Sequence, residues 1–277
     1  MTPSTATPLP TSRAPFDDHL RHWRQHRRLS QQDLALEADV STRHLSYVET
    51  GRAQPSREMV LRLADRLDVP LRERNALLAA AGFAPLYPAR TLAHPDLAAA
   101  RQAVERVLKG HEPHPALAVD RHWNLVAANA CIPLLLEGVA PALLEPPINV
   151  LRLSLHPEGL GPRLANAAQW RSHLLHRLQQ QVATTADAHL QALHDEIAAY
   201  PHQPPEPAAR PDGMEACGIV VPFQLHSAQG LLSFISTTTI FGTPVDVTLQ
   251  ELAVESFFPA DAATQAALET LYAQTRA

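Results

Sequence analysis

Apolar residues recur at helical spacing through the first third of the chain. Leu20, Trp23 and Arg27 share one side of a helix predicted over residues 16–28. Leu34 and Ala38 lie four apart, and Leu45 and Val48 three apart, so each pair marks the buried face of a short helix. Ser30 with Asp33 three residues on has the pattern of a capping box, and Ser41 is placed to cap the next helix. The turn between these two helices has only two or three residues, and Ala35 is small enough for their backbones to approach. Gly51 stands where a left-handed residue ends the second helix of the pair. Ser56 opens a fourth helix with Val60, Leu63, Ala64 and Leu67 as its stripe. A fifth starts at Pro70, carries Leu77, Leu78 and Ala81, and stops at Gly82. Residues 16–83 therefore read as a five-helix bundle containing a helix-turn-helix.

The pattern changes after this bundle. Residues 84–95 hold several prolines and no period, so they read as a linker. A helix is predicted over 96–109 with Leu97, Val104 and Leu108 inward, then strands at 115–120 and 121–129 joined by a tight hairpin at Asp120 and Arg121. Helices are predicted at 130–137, 149–155, 166–181 and 185–200, followed by a proline-rich loop at 201–213. The segments 217–227 and 230–242 are β-branched and aromatic, with Ala228 and Gln229 at the turn and Leu232, Phe234 and positions 236 and 238 on one face. A helix over 247–256 and a final edge strand at 257–261 complete residues 96–265, and residues 266–277 are a tail or a last helix. The fold class is multi-domain: an all-α bundle, then a mixed α+β domain of about five mostly antiparallel strands. A small sheet with helices on one face encloses a cavity readily.

Charge sharpens the division. Residues 13–74 hold 12 Arg, no Lys and 10 acidic residues; the rest of the chain holds 11 basic and 18 acidic residues. The basic balance is confined to the bundle, which suits a polyanionic partner there. Two cysteines, Cys131 and Cys217, make neither a disulfide framework nor a zinc cluster and fit a reducing, cytoplasmic setting. Residues 1–15 are rich in Pro and Thr, lack the pattern of a signal peptide, and are expected to be a disordered tail. No apolar run is long enough for a membrane span.

Candidate chemistry follows from placement. Thr42, Arg43 and Ser46 cluster at the start of the third helix, opposite Leu45 and Val48, where a recognition helix enters the major groove. Arginine bonds guanine in bidentate fashion, and Thr and Ser bond base edges. Gln31 begins the preceding helix, where an amide and a helix N-terminus suit a phosphate. Arg52 and Arg57 reach phosphates or simply solvent. Fifteen histidines include the pairs His22/His26 and His173/His176, but neither has a third ligand, so no metal site is expected. With no phosphate loop, no GxSxG turn and no glycine-rich dinucleotide turn, neither a catalytic residue nor a cofactor is expected.

The run STRHLSYVETGR with PSREMVLRLAD and PLRERNALLAAAGF resembles the Cro/C1-type (Xre) helix-turn-helix family of bacterial transcription regulators over residues 16–83. That resemblance implies a lambda-repressor-like bundle and carries Gln31, Thr42, Arg43 and Ser46 over as DNA contacts. Asp39 stands where the turn often has Gly; Asp tolerates the left-handed conformation better than most residues. The runs ALAVDRHWNLVAANA, NVLRLSLHPEGL and LLSFISTTTIFGTPVDVTLQELAVESFFPAD resemble the ligand-binding domain of MmyB-like regulators. This implies a PAS-like fold and a fatty-acid-like ligand. Trp123, Asn129, Arg152, His156 and Trp170 then become candidate cavity residues, Arg152 as a bidentate partner for a carboxylate. The expectation is a homodimeric regulator binding double-stranded operator DNA and a small apolar ligand. A DNA-targeted enzyme, or a second domain that only dimerises, are the alternatives.

Overall fold

The computed structural model describes residues 15–201, 221–241 and 246–274. The expected tail up to residue 14, most of the proline-rich loop and the first residues of the strand expected at 217–227 lie outside the described residues. The chain divides between Ala89 and Arg90 into two compact units.

The first unit is a bundle of α1 (Phe16–His26), α2 (Gln31–Glu37), α3 (Thr42–Glu49), α4 (Arg57–Arg66) and α5 (Leu71–Ala80). Local chemistry sets each start. Ser30 and Asp33 form the reciprocal capping box of α2, Ser41 accepts from the His44 N–H at α3, and Ser56 accepts from the Met59 N–H at α4. Asp39, in the turn between α2 and α3, has φ of 52°, the left-handed conformation expected of it. Leu20, Trp23, Leu34, Ala35, Ala38, Leu45, Val48, Leu63 and Leu78 meet in one core.

One polar group is set inside this bundle. Glu49, 1 % exposed, takes a bidentate pair from Arg24, Nε to Oε1 at 2.6 Å and Nη2 to Oε2 at 2.9 Å. Gln31 adds Nε2 to Oε2 at 2.7 Å, and Arg21 donates to the Glu49 carbonyl. α1, α2 and α3 are thereby tied at a single carboxylate.

The second unit contains α6 (Ala98–Gly110), β1 (Ala116–Val119), β2 (Leu125–Ala128), α7 (Val150–Leu155), α8 (Ala167–Thr185), α9 (Ala188–Ala198), β3 (Phe223–Ser227), β4 (Gly230–Ile240), α10 (Val247–Gln250), β5 (Ala253–Pro259) and α11 (Ala262–Gln274). The strands form one antiparallel sheet in the order β2-β1-β5-β4-β3. Strand alternation gives the sheet two dry faces. Leu117 and Val119 join the large core with Phe234, Leu174 and Ile197, whereas Ala116 and Ala118 join Val104 and Leu108 of α6.

Four expectations are corrected. The helix expected at 130–137 reduces to a 3-10 turn at Pro133–Leu135, because Pro133 has no N–H to continue a helical ladder and Gly138 follows with φ of 77°. The helix expected at 247–256 stops at Gln250, and Ala253–Ser256 enters β5 instead. Nor is that strand an edge: β5 pairs with β1 on one side and β4 on the other, so ladder bonds outweigh local helical spacing. The β1–β2 turn is also wider than a two-residue hairpin. Asp120 Oδ1 accepts from the N–H groups of His122 and Asn124, and Trp123 takes φ of 67°.

Cys131 is 1 % exposed. Burial, with the Glu112 carboxylate nearby, pushes its thiol up to about 11. The thiolate is the reactive form, so this cysteine is expected to be inert in the folded chain. In a Cys217→Ser variant at pH 8, labelling by a disulfide reagent should proceed at the unfolding rate and accelerate only with denaturant. Prompt stoichiometric labelling would show the site to be open.

Candidate functional site

The first candidate surface lies at the N-terminus of α3. Because Ser41 caps this helix, Thr42 and Arg43 stand exposed in its first turn, with Ser46 partly exposed on the next. Arg43 is held in place: its guanidinium carbon lies 5.5 Å from the Tyr47 ring centre, and Nε donates to the Tyr47 hydroxyl at 3.1 Å. Tyr47 went unremarked in the sequence, although its i,i+4 spacing from Arg43 is the signal for such a pair. Arg52 and Arg57 are exposed. Gln31 is different. Its amide is committed to Glu49, and the Asp33 carboxylate sits at the same helix end, held below the usual carboxylate range by its bonds to Ser30. A phosphate at Gln31 would have to compete with both.

The second candidate is a cavity in the second unit, about 660 Å³ with its open mouth included. Its wall is mainly apolar and includes Leu117, Trp123, Leu135, Leu151, Trp170, Leu174, Phe223 and Phe257. Four polar side chains, Ser154, Arg177, Ser236 and Glu255, complete the lining. Arg177 and Glu255 face each other, with Nη2 to Oε1 at 2.6 Å and Nη1 to Oε2 at 3.3 Å. Thr238 bonds both partners, accepting from Arg177 Nη2 at 2.6 Å and donating to Glu255 Oε1 at 2.9 Å. The Arg177 guanidinium also lies 4.5 Å from the Trp123 ring centre, a cation–π distance. Trp123 donates its indole N–H to Gln181, and Trp170 donates to the Ser154 hydroxyl, so both indoles are satisfied while their rings face the cavity. Burial, then Arg177, lowers the pKa of His173, which stacks on Trp170.

Two family models match these two units. Residues 18–77 match a helix-turn-helix domain, and residues 100–271 match the MmyB-like transcription regulator ligand binding domain. The second match spans more than half of the chain. The chain belongs to the MmyB-like transcription regulator family. No match was found among curated proteins. The architecture of this MmyB-like regulator, a helix-turn-helix domain followed by a ligand-binding domain, is that of a transcription regulator.

Of the five residues read as cavity wall in this MmyB-like regulator, Trp123 and Trp170 line the cavity. The other three do not. Asn129 is buried and spends its whole side chain on backbone groups of Ala116, Cys131, Leu108 and His114. Arg152 makes the bidentate pair that its geometry favours, but with Glu196 at 2.8 and 2.7 Å, joined by the Tyr200 hydroxyl. His156 packs edge-on against Tyr200. The cation that does line the cavity, Arg177, was signalled by its spacing: Trp170, Leu174 and Arg177 lie at i, i+4 and i+7 on one stripe.

Among the described residues, His122, Asp187 and His189 bring three possible metal ligands together. His122 Nε2 lies 3.0 Å from Asp187 Oδ2, but Arg121 Nη1 lies 3.5 Å from that same oxygen. Asp187 Oδ1 meanwhile caps α9 by accepting from the His189 N–H at 2.8 Å. With both oxygens claimed and a guanidinium alongside, the trio serves as a cap and a tie to the β1–β2 turn. No helix among the described residues is long and apolar enough to cross a membrane.

Proposed function

We propose that this chain is a sequence-specific DNA-binding regulator whose C-terminal domain senses a small, largely apolar ligand with a fatty-acid-like body. The observation that carries the reading is the cavity: an apolar chamber walled by two tryptophans and two phenylalanines, with its charged side chains paired at one side. A chamber of this kind binds by burying apolar surface and orients its guest by a few polar groups. The five-stranded antiparallel sheet with helices packed on both of its faces is compatible with a PAS-like domain. The ligand acts by binding two states of the regulator with different affinity.

The N-terminal domain binds double-stranded operator DNA through Thr42, Arg43 and Ser46, with Arg52 and Arg57 on phosphates. The regulator acts as a cytoplasmic homodimer, with half-sites about one helical turn apart and the C-terminal domain supporting the dimer. Neither domain is assigned a catalytic step. Mass spectrometry of the protein purified under native conditions tests the ligand half: a copurifying, chemically unmodified apolar molecule supports it, and a turned-over product opposes it.

Arg43→Ala is expected to cost about 1–3 kcal/mol at one base position and to relax preference there, because a bidentate arginine contact carries discrimination of that size. Arg57→Ala should instead weaken all sequences alike and flatten the salt dependence. Mobility-shift titrations on the selected operator and single-base variants separate the two. An unchanged base preference in Arg43→Ala would remove α3 from the groove.

A further inference from the structure

The polar side of the cavity is electrically closed. Arg177 and Glu255 pair through both carboxylate oxygens, and Thr238 locks the pair from the side. The Glu255 side chain is 6 % exposed. A guanidinium has five N–H donors, and three of these contacts are already made within the protein. From this geometry we infer that the cavity selects an uncharged ligand: an apolar chain ending in a neutral hydrogen-bonding head such as an alcohol or a primary amide. The matching carboxylate is discriminated against. The inference deepens the ligand-sensing reading above and rests on it.

A carboxylate head would meet two costs here. Approaching Arg177, it would bring a second anion beside Glu255 in a chamber walled by aromatic and aliphatic groups, where like charges repel strongly. Displacing Glu255 from Arg177 would leave that carboxylate buried without its cation, the costly way to break an internal ion pair. No second cation is supplied by His173, because burial and Arg177 both hold it toward the neutral form. A neutral head meets neither cost. It can accept from the remaining guanidinium N–H groups. It can also accept from Ser154, whose hydroxyl accepts from Trp170 at 3.0 Å and keeps its own O–H to donate. Removing the anion should therefore abolish the discrimination against a carboxylate, since Arg177 would then face the cavity uncompensated.

The test uses the full chain stripped of copurifying lipid, with tryptophan fluorescence and calorimetry at pH 7.5. The probes are 1-decanol, decanamide and decanoate, which share one chain length. The wild-type protein is expected to bind decanol and decanamide at least tenfold more tightly than decanoate. In Glu255→Gln, decanoate should gain at least tenfold while decanol changes much less. Decanoate binding as tightly as decanol in the wild type would overturn the inference while leaving the ligand-sensing reading intact. So would a Glu255→Gln variant that folds yet gives decanoate no advantage. Binding of none of the three probes would overturn the inference together with the reading beneath it. Should Glu255→Gln fail to fold, the wild-type ratio decides alone.

Discussion

Glu49→Ala is expected to destabilise the helix-turn-helix unit by about 3–5 kcal/mol, the usual cost of removing one partner from a buried ion pair. The carboxylate is 1 % exposed and the Arg24 side chain 12 % exposed, so little water can replace the lost charge. Its removal strands the Arg24 guanidinium and the Gln31 amide together, and unties α1 and α2 from the last turn of α3. A bundle this small has about 5–15 kcal/mol to lose at most. Hydrogen exchange read by mass spectrometry should show α1, α2 and α3 losing protection together, with the sheet of the second unit unaffected. The double variant Arg24→Met with Glu49→Leu should recover much of the loss, because apolar replacement of both partners leaves no unpaired charge. A loss below about 1 kcal/mol would mean that the pair behaves as a solvated surface bridge.

Asn129→Ala is expected to cost the second unit at least about 3 kcal/mol, each buried polar group left unpaired being worth about 1–3. Oδ1 accepts from Ala116 N at 3.1 Å and Cys131 N at 3.2 Å. Nδ2 donates to Leu108 O at 3.2 Å and His114 O at 2.7 Å. One side chain thus satisfies four backbone groups, joining the end of α6, the approach to β1 and the chain after β2. Alanine fills none of these roles. Chemical denaturation of the variant should show the loss, while affinity for any cavity ligand, measured where the variant is still folded, stays near the wild-type value. A selective loss of ligand affinity at unchanged stability would return Asn129 to the cavity wall.

The family resemblance makes Asn129 and Arg152 candidate ligand contacts. Each is instead spent on partners that the fold delivers, Arg152 on Glu196 in α9 and Asn129 on three separate segments. Arg177 and Glu255 carried a fainter signal, a cation on the stripe of Trp170 and Leu174 and a carboxylate two residues from Phe257 on the same face of β5. Neither implies the other, since they lie on a helix and a strand far apart in the chain and meet through the packing of α8 on the sheet.

In the first unit, the five helices, their three serine caps and the left-handed Asp39 turn follow from interactions within a few residues: the i→i−4 ladder, a side chain bonding the N–H three residues on, and the apolar stripe that makes helices stack. The amino-acid order alone therefore determined the bundle and the exposed start of its third helix. The place of β5, the commitment of Gln31 to Glu49 and the closing of Arg177 on Glu255 were decided by the tertiary structure. Each depends on which distant backbone or charge arrives alongside, and a strand's partners or a buried ion's counter-charge are properties of the packed chain and not of its local spacing.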